Sequence, residues 1–396
     1  MELSNTPLAE RVHIGFFGLR NAGKSSLVNA VANQQVSVVS NVKGTTTDPV
    51  KKTMELLPLG AVVLIDTAGV DDIGEVGKKR VEAAESILRK CNIAVLVTEA
   101  GRQLNTKENL LLKCFKEKNL PYIIVKNKAD LTNKVYENTE NTIYVSAKSG
   151  MGIEEFKNAL GSFALQKKDK HFVSDLVNQG DFVILVTPID GSAPKGRLIL
   201  PQQMAVRDIL DKNAVPILTQ PSELESVLSE LAGKTKLVIT DSQVFSFVNK
   251  LVPKAINLTS FSVLMARYKG FLATAVQGAN VIDSLKNNAK ILISEGCTHH
   301  RQCEDIGTVK LPKLLEKYTG KSFNYQWSSG AGFPKDLSEF DLIIHCGGCM
   351  LNEKEMEFRR TQAEAQNVPF TNYGTAIAYI NGLLERSLKP LQGIVL

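Results

Sequence analysis

The sequence predicts an α/β protein with mainly parallel sheets, and three observations carry that expectation. Short β-branched apolar runs alternate with amphipathic helical stretches from one end of the 396 residues to the other, the pattern of parallel strands covered by helices. Residues able to do chemistry follow those runs directly, where open parallel sheets place their sites. At this length, with 43% hydrophobic residues, the chain exceeds what one core accommodates and is expected to form several domains.

Three blocks are expected. Residues 1–170 form the first, closed by the charged stretch 166-QKKDKHF-172. Residues 171–260 hold the runs 182-FVILVTPID-190 and 236-KLVIT-240 and the helical stretch 201-PQQMAVRDIL-210, with no catalytic constellation. Residues 261–396 form the third. The net charge of +6 is modest and the basic residues are interspersed with acids, so no nucleic acid partner is implied. No apolar run approaches the roughly 20 residues of a membrane-spanning helix, and the N-terminus shows no export pattern. The expectation is a cytoplasmic protein without a membrane partner, its six cysteines reduced.

The first block carries the strongest chemistry. After the apolar run 12-VHIGFF-17 comes Gly18-x-x-x-x-Gly23-Lys24-Ser25, then the helical start at Ser26. Such glycines let backbone N–H groups close around phosphates at a helix N-terminus, Lys24 reaches the β and γ phosphates, and Ser25 holds Mg²⁺. The run 62-VVLIDTAG-69 delivers Asp66 to hold Mg²⁺ through water, and Gly69 offers its N–H to the γ-phosphate. In 122-YIIVKNKAD-130, a strand ends in Asn127, Lys128 and Asp130. One carboxylate there accepts from both the ring and exocyclic nitrogens of guanine, a donor pair adenine lacks. Ser146, Ala147 and Lys148 in 143-IYVSAK-148 close over the base.

These four stretches, in this order, resemble the motif set of small GTPases, which implies GTP and GDP as ligands. The stretch 44-GTTTDP-49 resembles the switch of tRNA-modification and ribosome-assembly GTPases. It makes Thr46 the expected Mg²⁺ ligand and catalytic residue beside Lys24 and Gly69, with Thr45 and Thr47 as rivals. Val70 stands where Ras-like proteins place a water-orienting glutamine, so another mechanism is expected. Asn21 occupies the position that, in related GTPases, helps hold K⁺ in place of an arginine finger; the plainer alternative is that it stabilises the loop. Hydrolysis would then be slow and potassium-stimulated.

A second group lies far downstream. The run 290-KILISEG-296 ends in Cys297, Thr298, His299 and His300, and 341-DLIIH-345 ends in Cys346, Gly347, Gly348 and Cys349. If these strands are neighbours, the 45 residues between His299 and His345 serve as a crossover. Cys297, Cys346 and Cys349 suit zinc with one histidine, or three irons of a 4Fe-4S cubane, and spacing leaves both open. Core cysteines are the weaker alternative, because the thiols sit at strand ends.

The pattern Cys297-x-His299, 45 residues, His345-Cys346-x-x-Cys349, joined to upstream GTPase motifs, resembles the HydF family of FeFe-hydrogenase maturation GTPases along the whole chain. The resemblance implies a P-loop GTPase domain followed by two further α/β domains, one for dimerisation (171–260) and one carrying a 4Fe-4S cluster (261–396). It further implies a scaffold or carrier for the diiron subcluster precursor of the H-cluster. Its partners would be two radical-SAM maturases, apo FeFe-hydrogenase and copies of itself, as a homodimer or higher homo-oligomer, with GTP as a switch on partner contact. Cys297, Cys346 and Cys349 match the family's cysteine ligands and His299 and His345 its histidines. The fourth iron is left to an exchangeable group, with His299, His345 and Glu304 in reach; Cys303 falls outside the family pattern. Two other readings remain: an RNA-modification or translation GTPase with structural zinc, and a redox protein regulated by GTP.

Overall fold

A computed structural model of the chain describes residues 6–32, 50–69, 84–132, 136–163, 170–189, 198–231, 233–296, 306–330 and 332–392. The chain divides into two compact units, Met1–Lys168 and Asp169–Leu396.

In the first unit, β1 (Val12–Phe17), β2 (Val50–Leu56), β3 (Gly60–Asp66), β4 (Ile93–Glu99), β5 (Tyr122–Asn127) and β6 (Thr142–Tyr144) form one sheet in the order β2-β3-β1-β4-β5-β6. All pairings are parallel except that of β2, which runs antiparallel to β3. The helices are α1 (Lys24–Ala32), α2 (84–90), α3 (Thr106–Glu117) and α4 (Ile153–Ser162). Side chains alternate across a strand, so helices on both faces require strands that are apolar throughout. Ile14, Phe16, Val62 and Leu64 pack with Leu27, Val31, Phe156 and Leu160 on one face. Phe17, Val63, Ile65 and Leu96 pack with Leu88 and Phe115 on the other. Asn105 caps α3, its side chain accepting from Glu108 N–H while Glu108 accepts in return from Asn105 N–H.

The second unit holds two four-stranded parallel sheets. The first, in the order β10-β9-β7-β8, comprises β7 (Phe182–Val186), β8 (Val215–Thr219), β9 (Thr235–Thr240) and β10 (Asn257–Ser260). The second, in the order β12-β11-β13-β14, comprises β11 (Lys290–Glu295), β12 (Asn324–Ser329), β13 (Leu342–His345) and β14 (Phe370–Asn372). The helices are α5 (Leu200–Asp211), α6 (Leu224–Glu230), α7 (Phe245–Leu251), α8 (Phe261–Tyr268), α9 (Leu272–Asn280), α10 (Leu311–Thr319), α11 (Glu353–Ala365), α12 (Tyr373–Ile380) and α13 (Leu384–Leu388). One core joins the sheets: Val183, Leu185 and Ile239 of the first and Leu292, Ile343 and Phe370 of the second meet through Leu264 of α8 and Leu272 of α9. No helix among the described residues is long and apolar enough to cross a membrane.

β11 and β13 are parallel neighbours, with Ser294 opposite His345. Their connection is more than a crossover, because it contains α10 and the strand β12, which pairs on the far side of β11. The polar sequence NYQWSS of β12 conceals it: as an edge strand it leaves much of its surface to solvent, Trp327 being 40% exposed.

α9 lies against β14 at Gly278, where an added Cβ would stand 2.2 Å from the Phe370 carbonyl oxygen. Backbone cannot yield as a side chain does, so overpacking there is costly. Gly278→Ala is expected to lower the stability of the 169–396 unit by about 1–3 kcal/mol, read as a lowered calorimetric midpoint.

Candidate functional site

The phosphate loop begins where β1 ends. Gly18 (φ +148°) and Gly23 (φ +89°) adopt backbone conformations that favour glycine. A Cβ on Gly18 would stand 2.2 Å from the Val97 carbonyl oxygen, and one on Gly23 would stand 2.2 Å from Asn127 Nδ2. Lys24 opens α1, and its buried side chain turns back into the loop. Its Nζ donates to the carbonyls of Leu19 at 2.8 Å and Gly18 at 3.2 Å. Asn21 is left-handed (φ +62°) and exposed at the loop's crest. Ser25 and Ser26 follow in the first turn, both exposed.

Parallel pairing sets Asp66 opposite Phe16, beside the start of α1. Ser25 Oγ donates to Asp66 Oδ2 at 2.5 Å. Asp66 Oδ1 is buried and has no hydrogen-bond partner among the described residues. Burial raises the Asp66 pKa, opposed by the Ser25 hydrogen bond and the Lys24 charge. A hydroxyl and an orphaned carboxylate oxygen are the hard oxygen donors Mg²⁺ takes, so these residues fit that ion. Gly69 lies just past β3. Thr46, with Thr45 and Thr47, and Val70 lie outside the described residues.

At the other end, Asn127 is 3% exposed and ties three motifs together. Its Nδ2 donates to the Ala22 carbonyl at 3.0 Å, and its Oδ1 accepts from Ala147 N–H at 3.1 Å. With both functions of the amide engaged, Asn127 braces the loops that would surround a base. Asp130 is exposed on the turn Ala129–Leu131, which is anchored by Ala129 N–H on the Val145 carbonyl at 3.0 Å. Lys128 is left-handed (φ +62°), with its ammonium on Glu99. Ser146 is buried and its Oγ accepts from Ser149 N–H at 3.1 Å, leaving Lys148 exposed on the turn. The spacing of the motifs shows which residues gather; it carries no sign that Asn127 does so by holding the other two loops.

The thiol loop lies in the second unit, at the carboxyl ends of β11 and β13. Cys346 N–H donates to the Ser294 carbonyl at 2.8 Å, extending the strand pairing by one residue. Cys346 Sγ accepts from Gly296 N–H at 3.1 Å and Gly348 N–H at 3.4 Å. Gly348 is left-handed (φ +64°), and a Cβ there would stand 2.6 Å from Met356 Sδ. At Gly347 an added Cβ would meet open space. Cys349 follows, its thiol pKa raised by burial against the opposing charge of Lys269. Cys297, His299, His300, Cys303 and Glu304 lie outside the described residues. Among the described residues, no group of three or more His, Cys, Asp or Glu side chains is placed to hold a metal ion.

His345 is fully buried. Its Nε2 lies 2.9 Å from Arg359 Nη1 and its Nδ1 lies 2.7 Å from the Cys346 carbonyl oxygen. A guanidinium only donates, so Nε2 accepts and Nδ1–H donates. Burial, then the Arg359 charge, push its pKa down to about 3, and the ring is neutral. Both nitrogens thus serve the backbone and Arg359.

Arg359 is the residue that sequence reasoning misses, since nothing in the charged run 353-EKEMEFRR-360 sets it apart from its neighbours. It is 1% exposed. Besides His345, its guanidinium donates to the Gly330 carbonyl at 2.5 Å and to Glu355 Oε1 at 3.1 and 3.2 Å, and it faces the Phe333 ring at 4.9 Å.

The Asp66 geometry yields a prediction with a definite sign. Its folded pKa is raised, so the stability it confers is present at low pH and lost as pH rises through that value. Asp66→Asn is therefore expected to raise metal-free stability at pH 7, where the partly buried carboxylate is charged. The same change is expected to lower Mg²⁺-supported GTP hydrolysis by about 100-fold or more. Thermal melts without metal and phosphate release with Mg²⁺ check the two halves.

Comparison with known proteins places these features in a family. Residues 13–128 match the model of the 50S ribosome-binding GTPase. Residues 172–270 match the hydrogen maturase F dimerization domain, and residues 273–390 match the hydrogen maturase F tetramerization domain. The tRNA modification GTPase MnmE of Nitrosomonas eutropha is 33% identical over 160 residues, covering 39% of this chain and 35% of that protein. GTPase Der of Kosmotoga olearia is 26% identical over 236 residues, covering 54% of this chain and 53% of that protein. The chain thus spans between a third and about half of the length of these curated relatives. Among solved structures, the G domain of the T. maritima FeoB iron transporter matches 39% of this chain and 99% of its own at 22% identity, with a TM-score of 0.31. Aquifex aeolicus Era bound to GDP and AlF4⁻ matches 56% and 98% at 16% identity, with a TM-score of 0.34. The two hydrogen maturase F models together cover more than half of the sequence, and they follow a GTPase domain. The chain belongs to the hydrogen maturase F family.

Proposed function

We propose that this chain is a GTP-hydrolysing factor of FeFe-hydrogenase maturation. It holds a 4Fe-4S cluster on Cys297, Cys346 and Cys349 and carries a diiron subcluster precursor to apo-hydrogenase. The single observation that carries the cluster reading is the pairing of β11 with β13. It sets Gly296, the residue before Cys297, with its N–H 3.1 Å from Cys346 Sγ. Two N–H donors on one sulfur stabilise a thiolate, the form that ligates iron. The open space at Gly347 leaves room beside the thiols.

In the first unit the reaction is GTP plus water to GDP plus phosphate. Ser25, Thr46 and Asp66 would hold Mg²⁺, which supplies charge neutralisation at the phosphates. On binding nucleotide, Lys24 exchanges the Gly18 and Leu19 carbonyls for phosphate oxygens, a stronger charge-assisted contact. Gly69 gives its N–H to the γ-phosphate, and Asp130 accepts from the guanine edge, with Lys148 and Ala147 closing over the base. Asn21, exposed in the phosphate loop, would help hold K⁺ in this reading, giving slow, potassium-stimulated turnover. Hydrolysis in this reading times partner contact by releasing the γ-phosphate from the switches.

The family resemblance supplies the partners: two radical-SAM maturases and the apo-hydrogenase, in the cytoplasm. The dimerization and tetramerization descriptions of the matched models support homo-oligomers. They also support three working regions in the chain: the GTPase part, the middle part and the thiol-bearing part.

Two experiments test this reading. Asp130→Asn replaces a double acceptor by an amide, so GTP affinity is expected to fall about 100-fold, or ~2.8 kcal/mol, while xanthosine triphosphate gains, as read by calorimetric titration. Unchanged GTP affinity would remove Asp130 from the base site. For the cluster, the chain is purified without oxygen and reconstituted with iron and sulfide, then metal content and the EPR spectrum after reduction are recorded. A reducible 4Fe-4S signal lost in Cys346→Ala and Cys349→Ala is expected. Stoichiometric zinc without a reducible cluster would overturn the reading and favour an RNA-modification GTPase.

A further inference from the structure

We propose that the buried Arg359–Glu355 ion pair sets the reduction potential of the iron–sulfur group held at Cys346, with Arg359 as the positioning residue that points its positive end at the thiol loop. The inference rests on the cluster reading above. Arg359 and Glu355 are one turn apart on α11, 1% and 7% exposed. Asn352 caps this helix, its side chain accepting from Glu355 N–H at 3.1 Å, so the pair sits in the first turns and cannot swing away.

The guanidinium is oriented by its partners. Its Nε and Nη2 face Glu355 Oε1, while Nη1 faces His345 Nε2 at 2.9 Å and Ser294 Oγ at 3.5 Å. Ser294 also receives the Cys346 N–H on its carbonyl, and His345 holds the Cys346 carbonyl oxygen. The cation therefore lies between the carboxylate and the strand end that bears Cys346. The pair is a fixed dipole whose positive end meets that strand end.

A buried ion pair is a poor source of stability, since apolar residues of similar volume often serve as well. Its effect on a neighbouring charge is large for the same reason that its burial is costly: the surroundings screen little. When an external one-electron reductant passes one electron to the cluster, the site becomes more negative by one charge. A positive end directed at it favours the reduced form, as charge, hydrogen bonds and burial tune such clusters generally.

The test exploits the two ends of the dipole. Parent, Glu355→Gln, Arg359→Met and Arg359→Lys chains are reconstituted without oxygen, and the midpoint potential is measured by EPR-monitored redox titration, with iron content and thermal midpoint alongside. Glu355→Gln unmasks the cation and is expected to shift the potential upward. Arg359→Met removes the cation and is expected to shift it downward. Arg359→Lys, keeping the charge, is expected to stay nearest the parent. Opposite shifts cannot come from loosened packing, which would move both variants the same way. Shifts of one sign, or none, in chains with full iron content overturn the inference while leaving the cluster reading intact. If Arg359→Met does not fold, the near-isosteric Glu355→Gln decides by itself: no upward shift overturns the proposal. A parent chain without a reducible cluster fails the functional reading itself, and the inference with it.

Discussion

Parallel pairing in register, Phe16 beside Asp66 in one unit and Ser294 beside His345 in the other, is the constraint on which both sites depend. Parallel strands bring their carboxyl ends to one edge of the sheet, and the residue after each strand leaves from that edge. Asp66 meets Ser25 for this reason, although 41 positions separate them. Cys346 meets the N–H of Gly296 for the same reason across 50 positions. A slip of one residue would turn every strand side chain to the opposite face and carry Asp66 away from Ser25 and Cys346 away from Gly296.

In the first unit the polar side chains of Lys24 and Ser25 at the phosphate loop are paired within the chain. Carbonyls of the loop occupy the Lys24 ammonium, and the Asp66 carboxylate occupies the Ser25 hydroxyl. The two carbonyls keep the buried Lys24 ammonium satisfied, which is worth more than the bonds themselves. Under the proposed function these contacts would be exchanged, because phosphate and a divalent ion offer stronger charge-assisted contacts. Asn127 bonds Ala22 and Ala147 together and so holds the loop frame independently of the Lys24 and Ser25 contacts. Gly23 must lack a side chain for that brace to fit.

In the second unit a charged network occupies a place where an apolar core would be simpler. Arg359 satisfies its donors on Glu355, His345, Gly330 and Ser294, and such a network is tolerable only when its members are paired. Its consequence for His345 is chemical. The ring is held neutral with both nitrogens committed, so it shapes the loop that Cys346 begins.

By itself the sequence determined the α/β class with mainly parallel sheets, since apolar runs covered on both faces admit little else. It also marked the strand ends at Phe17 and His345, while the runs 62–69, 122–130 and 290–296 extend past the strand ends at Asp66, Asn127 and Glu295. The edge strand β12 was illegible, as a polar strand with one open side lacks the apolar signal of its neighbours. Only tertiary structure decided that Asn127 is a brace, that both nitrogens of His345 are engaged, and that Arg359 is buried. The physical reason is common to all three. What an amide, an imidazole or a guanidinium does depends on which distant backbone supplies its partner, and that is set by strand pairing across the chain.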